Sequence, residues 1–158
     1  MTAYEAERLA LHARGRRVTE CGSLLGFSTI VMARVARHVV SVDRHDGYPS
    51  LGLKNETERA FRNNLDRYNV ANKVSVVVGD YHHAREYGKP DLLFVDLDGT
   101  LMTTLAAIQL LPAPRVALHD YGRFACGGVA QAVEILLRRA RGWTVLERAH
   151  TLVVLQRR

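Results

Sequence analysis

Apolar residues along this chain fall into two alternating rhythms. Short, nearly continuous β-branched runs occupy Arg17 to Cys21, His38 to Val42, Val74 to Val78, Asp91 to Val95 and Arg115 to Leu118. Runs of this kind predict strands buried on both faces, as in a parallel sheet. Between them the apolar positions step by three and four. Phe27, Ile30, Val31 and Val35 share one helical face after the first run, and Ala60, Phe61, Leu65 and Tyr68 share another after the second. Leu101, Leu105 and Ile108 follow the fourth run. Val129, Ala132, Val133, Leu136, Leu137 and Ala140 form the longest stripe, which Gly142 ends. "WTVLE" and "HTLVVLQ" close the chain as two strands joined by Arg148-Ala149, a link of hairpin length.

Five β/α units followed by an antiparallel pair predict an α/β fold. The expected architecture is a single-domain, Rossmann-like three-layer sandwich whose seven-stranded sheet is mostly parallel, with an antiparallel terminal strand. The whole of 1–158 reads as one domain, with 1–16 as a short N-terminal helical segment, because no repeat or flexible linker interrupts it. Ligands of such sheets bind beyond the carboxyl ends of the strands, near the switch in strand order. Those ends carry Glu20, Asp43, Asp80, Asp96 and His119-Asp120, each directly after an apolar run.

Composition narrows the picture only a little. Apolar residues make up 47% and charged residues 24%, ordinary for a soluble protein, and no apolar run approaches the ~20 residues that span a bilayer. The opening "MTAYEAERLALHARGRR" carries acids and lacks the apolar stretch of a signal peptide, so a cytoplasmic protein without membrane contact is expected. Cys21 and Cys126 match no disulfide framework or zinc spacing; Cys21 should be buried at a strand end. A net charge of +6 invites a nucleic-acid reading. The basic residues are scattered, however, and all but Lys54, Lys73 and Lys89 are arginine, so a nucleic-acid partner is not expected.

The chemistry begins at "ECGSLLGFST", Glu20 to Thr29. A phosphate-binding loop needs GxxxxGK[ST], but here the glycines are one residue too close and Phe27 stands where Lys belongs. A dinucleotide fingerprint needs GxGxxG, of which only Gly22 is present among Gly22, Leu24 and Phe27. Glu20 would also set a carboxylate against approaching phosphates. The acid suits a ligand whose near end is positive. Glu20 beside an ammonium, Gly22 and Gly26 for close backbone approach, and Asp43 on ribose hydroxyls would fit S-adenosylmethionine. Asp43 follows the turn by the spacing of one strand–helix–strand unit.

This stretch resembles the first motif of class I S-adenosylmethionine-dependent methyltransferases in its ExGxxxGxST form. "VVSVDRH" is similar to their second-strand acid, "VSVVVGDYHH" to the third motif, "PDLLFVDLDGT" to the fourth and "PRVALHDYG" to the fifth. The nearest likeness is to the branch with FVDGDH and HDY motifs, which includes sugar and natural-product O-methyltransferases. The resemblance implies cofactor contact at Glu20, Gly22, Ser23, Gly26, Ser28, Asp43, Asp80, Tyr81 and Asp96, with substrate or metal near Asp96 and Asp120. It implies a small-molecule acceptor and O-methylation, with S-adenosylmethionine as cofactor and a divalent cation such as Mg as a candidate; homodimerisation stays open. Two other readings remain. One is a non-catalytic S-adenosylmethionine-binding relative or partner subunit, and the other is an N-methyltransferase acting on nucleic acid or protein.

Blander roles stand beside these. Ser28 and Thr29 are good helix-start residues, Asp80 after Gly79 is a good turn former, and Asp96 with Asp98 could cap a helix starting near Thr100. His119 could be a satisfied strand-end residue, whereas His45, His82 and His83 read as solvated loop residues. "GRFACGG" is either a mobile loop over the site or a plain connection. One departure matters for mechanism. Where relatives carry the motif's final His, which can act as base, this chain has Gly99, and Leu97 replaces a glycine. Proton removal then falls to His119, or to a metal held by Asp96 and Asp120, so Asp96, His119 and Asp120 form the catalytic set. The fourth motif is neither [DN]PPY nor Pro-Cys, which argues against methylation of base amines or of cytosine carbon.

Overall fold

A computed structural model describes residues 1–48, 52–54, 57–139 and 142–158. The sheet has seven strands: β1 (Arg17–Cys21), β2 (His38–Asp43), β5 (Val74–Val78), β6 (Leu92–Val95), β7 (Arg115–Leu118), β8 (Trp143–Ala149) and β9 (Leu152–Arg157). Their order is β5-β2-β1-β6-β7-β9-β8. The strands from β5 to β7 pair in parallel, while β9 runs antiparallel to both β7 and β8. The expected fold class is therefore present. The chain leaves β1 toward β2 and β5, then returns to β6 and β7 on its other side, so the switch in strand order lies between β1 and β6.

Among the described residues, five α-helices cover the two faces: α1 (Ala3–Ala13), α2 (Phe27–Ala33), α3 (Thr57–Arg67), α4 (Leu101–Leu110) and α5 (Gly127–Arg139). Strand alternation feeds two cores. Leu92 and Phe94 of β6 pack with Leu9, Ile30, Met32, Phe61 and Leu65, whereas Leu93 and Val95 pack with Ile108, Leu111, Val129 and Val133. The helices α1, α2 and α3 thus share one face, and α4 and α5 the other. Cys21 is fully buried, as its strand-end position implies. No helix among the described residues is long and apolar enough to cross a membrane.

Helix α1 closes on itself and on the sheet. Thr2 and Glu5 form a reciprocal capping box, and Glu147 of β8 accepts from Arg8 and from His12, the latter at 2.8 Å.

Several local expectations change. The terminal turn falls at His150-Thr151, two residues later than Arg148-Ala149, because Ala149 still pairs with Leu152. The connection after β5 is a 3-10 run from Tyr81 to Tyr87, since "YHHAREY" carries no 3.6-residue apolar period. A short hairpin, β3 (Gly47–Tyr48) with β4 (Leu53–Lys54), follows β2. Phe27 and Tyr68, read as core-facing, are 56% and 44% exposed, and Leu137 is exposed as well. The buried face of α2 runs instead through Thr29, Ile30, Met32 and Ala33, one step around the helix. Tyr68 lies beyond the end of α3, with the guanidinium groups of Arg34 and Arg67 over its ring. Ala140 lies outside the described residues.

The ends of β1 and β6 approach closely at Gly22, which has φ +90°. A Cβ there would stand 2.0 Å from the backbone oxygen of Asp96. Left-handed backbone and a forced contact together should make Gly22→Ala destabilising by about 3 kcal/mol. A drop in the urea midpoint checks this, and an unchanged midpoint would mean that the loop after β6 yields freely.

Candidate active site

The first half of the site is the turn between β1 and α2. Asp43, at the end of β2, reaches back to it: Oδ2 accepts from the backbone N–H of Ser23 and of Leu24, both at 2.7 Å, and Oδ1 accepts from His45 N–H at 2.8 Å. A carboxylate has about four acceptor positions. Three are spent on shaping the turn, so a further position on Oδ1 is what can meet a ribose hydroxyl.

Glu20 is wholly buried beneath this turn rather than displayed on it. Its carboxylate accepts hydrogen bonds from the hydroxyls of Ser28, Thr29 and Ser41, the last at 3.0 Å. Ser28 and Thr29 therefore serve neither as caps nor as exposed donors; Gly26 occupies the N-cap position of α2, in left-handed backbone, with no side-chain cap bond. A Cβ at Gly26 would meet the Phe61 ring at 2.9 Å, so a packed side chain already accounts for that glycine. Burial pushes the Glu20 carboxyl up to about 7, against the pull of its three hydroxyl donors.

Two buried side-chain atoms without a hydrogen-bond partner, among the described residues, adjoin this turn: Ser23 Oγ and His45 Nε2. Unpartnered buried polar atoms are costly unless a ligand or water meets them. Ser23 belongs to the expected cofactor set. His45, expected as a solvated loop residue, is instead 6% exposed, with Nδ1 3.3 Å from the Thr57 hydroxyl and its ring 5.1 Å from that of Phe61. Burial lowers its pKa. Its place two residues after the second-strand acid is the signal that could have marked it.

Asp80 and Tyr81 follow β5, whose end is tied to β2 by the bond from Gly79 N–H to the Asp43 carbonyl at 2.8 Å. Asp80 caps the 3-10 run through His82 N–H and also pairs with His82 Nδ1 at 2.7 Å. Tyr81 stacks on His82 with ring centroids 4.4 Å apart. The turn-forming role of Asp80 is thus real, and its half-exposed carboxylate still lies at the ligand edge of the sheet.

The second half of the site lies across the switch. Asp96 and His119 follow β6 and β7, and parallel pairing sets them side by side, with His119 N–H donating to the Val95 carbonyl at 3.1 Å. His119 Nδ1 stands 3.2 Å from Oδ1 of Asp96 and 3.2 Å from Oδ1 of Asp120. Burial alone would lower the pKa of His119, but the bond to Asp96 and the charges of Asp96 and Asp120 outweigh it and raise the pKa. Asp120 sits at φ +60° and is steadied by Arg123 at 2.9 Å and by the Cys126 thiol at 3.5 Å. Two carboxylates and an imidazole, with ligand atoms all within 4.8 Å of one another, suit a divalent cation that keeps other positions open.

Thr100 is itself the N-cap of α4, its hydroxyl accepting from Thr103 N–H at 3.3 Å, and the acid beside that cap is Asp98. It accepts from Thr100 N–H at 3.0 Å and from the Thr103 hydroxyl, and although burial opposes it, these bonds lower its pKa. Gly99 has φ +72°, and a Cβ there would stand 2.7 Å from Cys126 Cβ. Cys126 fills the space that a side chain at 99 would enter, which explains why no base comes from this position. "GRFACGG" is packed only at its end, where a Cβ at Gly128 would stand 2.1 Å from Leu101 N, while Gly122 to Ala125 are exposed. Phe124 among them is fully exposed. Glu5 of α1, which no motif pointed to, is 1% exposed and has Oε2 3.7 Å from His119 Nε2.

A family model described as a methyltransferase domain matches residues 19–122, well over half of the chain. The chain belongs to this family, and its fold is that of class I methyltransferases. Solved structures with the same fold include the O-methyltransferase TomG from Streptomyces achromogenes, involved in tomaymycin synthesis, in complex with S-adenosylmethionine. It is 20% identical, with a TM-score of 0.72 over 99% of this chain and 81% of that one. An O-methyltransferase from Bacillus cereus in complex with S-adenosylhomocysteine is 17% identical, with a TM-score of 0.74 over 99% and 82%. An rRNA methylase from Streptococcus thermophilus is 18% identical, with a TM-score of 0.68 over 97% and 93%. No curated protein matches the chain significantly.

The raised Glu20 pKa fixes the sign of a pH effect. Between the ordinary value of 4.5 and the folded value of about 7, the folded protein holds a proton that the unfolded chain has released. Stability should therefore fall as pH rises through that window, by an amount on the order of 2 kcal/mol. Urea unfolding from pH 5 to 7.5 should show this decline in the wild type and a flatter profile in Glu20→Gln. Identical slopes would remove Glu20 as the cause.

Proposed function

We propose that this protein is an S-adenosylmethionine-dependent O-methyltransferase acting on a small molecule. One observation carries the reading: the Glu20–Asp43 turn and the Asp96–His119–Asp120 cluster face the same carboxyl edge of the sheet, on either side of the switch between β1 and β6. The ligands named for the TomG and B. cereus structures support the cofactor.

Methyl transfer from a sulfonium is an in-line displacement by an already activated donor, so positioning supplies most of the catalysis. The Gly22–Gly26 turn, clamped by Asp43, holds the donor, with Ser23 Oγ and His45 Nε2 as further polar partners. Asp96 stands at the join, because its N–H is bonded to the Cys21 carbonyl at 2.9 Å while its carboxylate faces His119. The acceptor hydroxyl would lie against Asp96 and Asp120, and its proton would pass to this cluster. A divalent cation held by Asp96, His119 and Asp120 would lower the hydroxyl's pKa when bound. The intact acidic cluster argues for catalysis rather than binding alone.

S-adenosylhomocysteine at a hundred times its dissociation constant should stabilise the protein by about 2.7 kcal/mol in a thermal shift. No shift at millimolar ligand would sink the cofactor reading. Labelled-methyl transfer should favour a metabolite extract over RNA; label entering RNA would shift the reading to the nucleic-acid alternative. Asp120→Ala should lose at least ten-fold in transfer rate. Full activity of that variant, with and without chelator, would end the assignment of the cluster as catalytic.

A further inference from the structure

The imidazole of His119 is engaged from both sides. Nδ1 faces Asp96 and Asp120, each at 3.2 Å, while Nε2 faces the Thr151 hydroxyl at 3.5 Å and Glu5 Oε2 at 3.7 Å. The Thr151 hydroxyl donates its only proton to Glu5 Oε1 at 2.7 Å, so what it offers His119 is a lone pair. Nε2 is therefore the hydrogen-bond donor on that side. Nδ1 carries the proton that Asp96 and Asp120 attract, and a cation seated among the three displaces that proton and meets the lone pair on Nδ1.

Glu5 is held firmly in this task. Its Oε2 also accepts from Thr2 N–H at 2.6 Å and its Oε1 from Thr151 N–H at 2.7 Å, so one carboxylate joins the start of α1, the β8–β9 turn and the ring. The turn is itself tied to the site, because Tyr121 N–H donates to the Thr151 carbonyl at 2.8 Å.

We propose that Glu5, acting through Thr151, is a positioning residue that fixes Nε2 of His119 as a donor and makes Nδ1 the third ligand atom of a cation site with Asp96 and Asp120. The inference rests on the cation reading above and narrows it to a class of ion. Carboxylates alone suit Mg2+, whereas a ring nitrogen moves the set toward Mn2+ or Zn2+. A ligating histidine needs its other N–H held by an acceptor, and loss of that partner weakens metal binding by roughly 10–100-fold.

Mn2+ and Mg2+ are the probes, titrated into the full chain with free Mn2+ read by electron paramagnetic resonance and Mg2+ by competition. The wild type should bind Mn2+ more tightly than Mg2+. In Glu5→Gln and Thr151→Val, Mn2+ affinity should fall by roughly 10–100-fold and the preference over Mg2+ should narrow. Thr151→Val leaves the Thr2–Glu5 capping box in place, so its loss cannot be put down to fraying of α1. A retained thermal shift with S-adenosylhomocysteine checks that both variants are folded. Unchanged Mn2+ affinity in both variants, beside a loss in His119→Ala, would overturn the role of Glu5 and leave the cation site standing. An equal fall for both ions would also overturn it, as would a loss in Glu5→Gln alone. A wild type that binds neither ion would remove the cation reading and this inference together.

Discussion

The buried carboxylate of Glu20 is the constraint on which the turn between β1 and α2 depends. An ionised acid taken out of water is strongly unfavourable unless donors surround it. Here three hydroxyl donors come from two elements, Ser28 and Thr29 on α2 and Ser41 on β2. The bonds that satisfy the acid therefore also fix where α2 starts relative to the first two strands. The turn between them is the shape left over. Asp43 completes it from above by accepting two consecutive backbone N–H groups. Two acids thus build the turn from opposite sides, one hidden and one at the ligand edge.

The cluster of Asp96, His119 and Asp120 is built by a different device. Parallel register places Val95 opposite Leu118, so the residues that follow them, Asp96 and His119, emerge at the same level. Their geometry follows from strand pairing and from the charge pattern around one ring, with acids at Nδ1 and a third acid behind Nε2. Left-handed backbone at Asp120 and the tight seating of Gly99 against Cys126 close the cluster from the other side.

Much of this was legible in the sequence because burial on both sides of a parallel sheet leaves a plain record. Five apolar runs marked the strands to within a residue, and the acids directly after them stand at the carboxyl edge of the sheet. What was not legible depends on which atom faces which. "ECGSLLGFST" places an acid and two hydroxyls at suggestive spacing, yet only the folded turn shows that they bond each other. His45 has no apolar neighbour in sequence to mark it as buried; Phe61, far along the chain, makes it so. Gly99 read as a missing base, whereas its positive φ and its contact with Cys126 show a position closed to any side chain. Phe27 misled for the opposite reason, since a period of three and four fits more than one face of a short helix and burial chose the other.

The N-terminal helix changes meaning most. By its sequence it is a short helical segment ahead of the first strand. In the fold its first turn is a structural wedge, because Glu5 serves at once as capping-box partner, as acceptor for the β8–β9 turn and as the charge behind His119. Arg8 and His12, further along the same face, grip Glu147 of β8 and keep that wedge in place. The distance from helix start to ring is spanned by one carboxylate and one hydroxyl. The hairpin that ends the chain supplies that hydroxyl. The first and last elements of the sequence therefore meet behind the same histidine, and the reversed strand β9 is what brings them there.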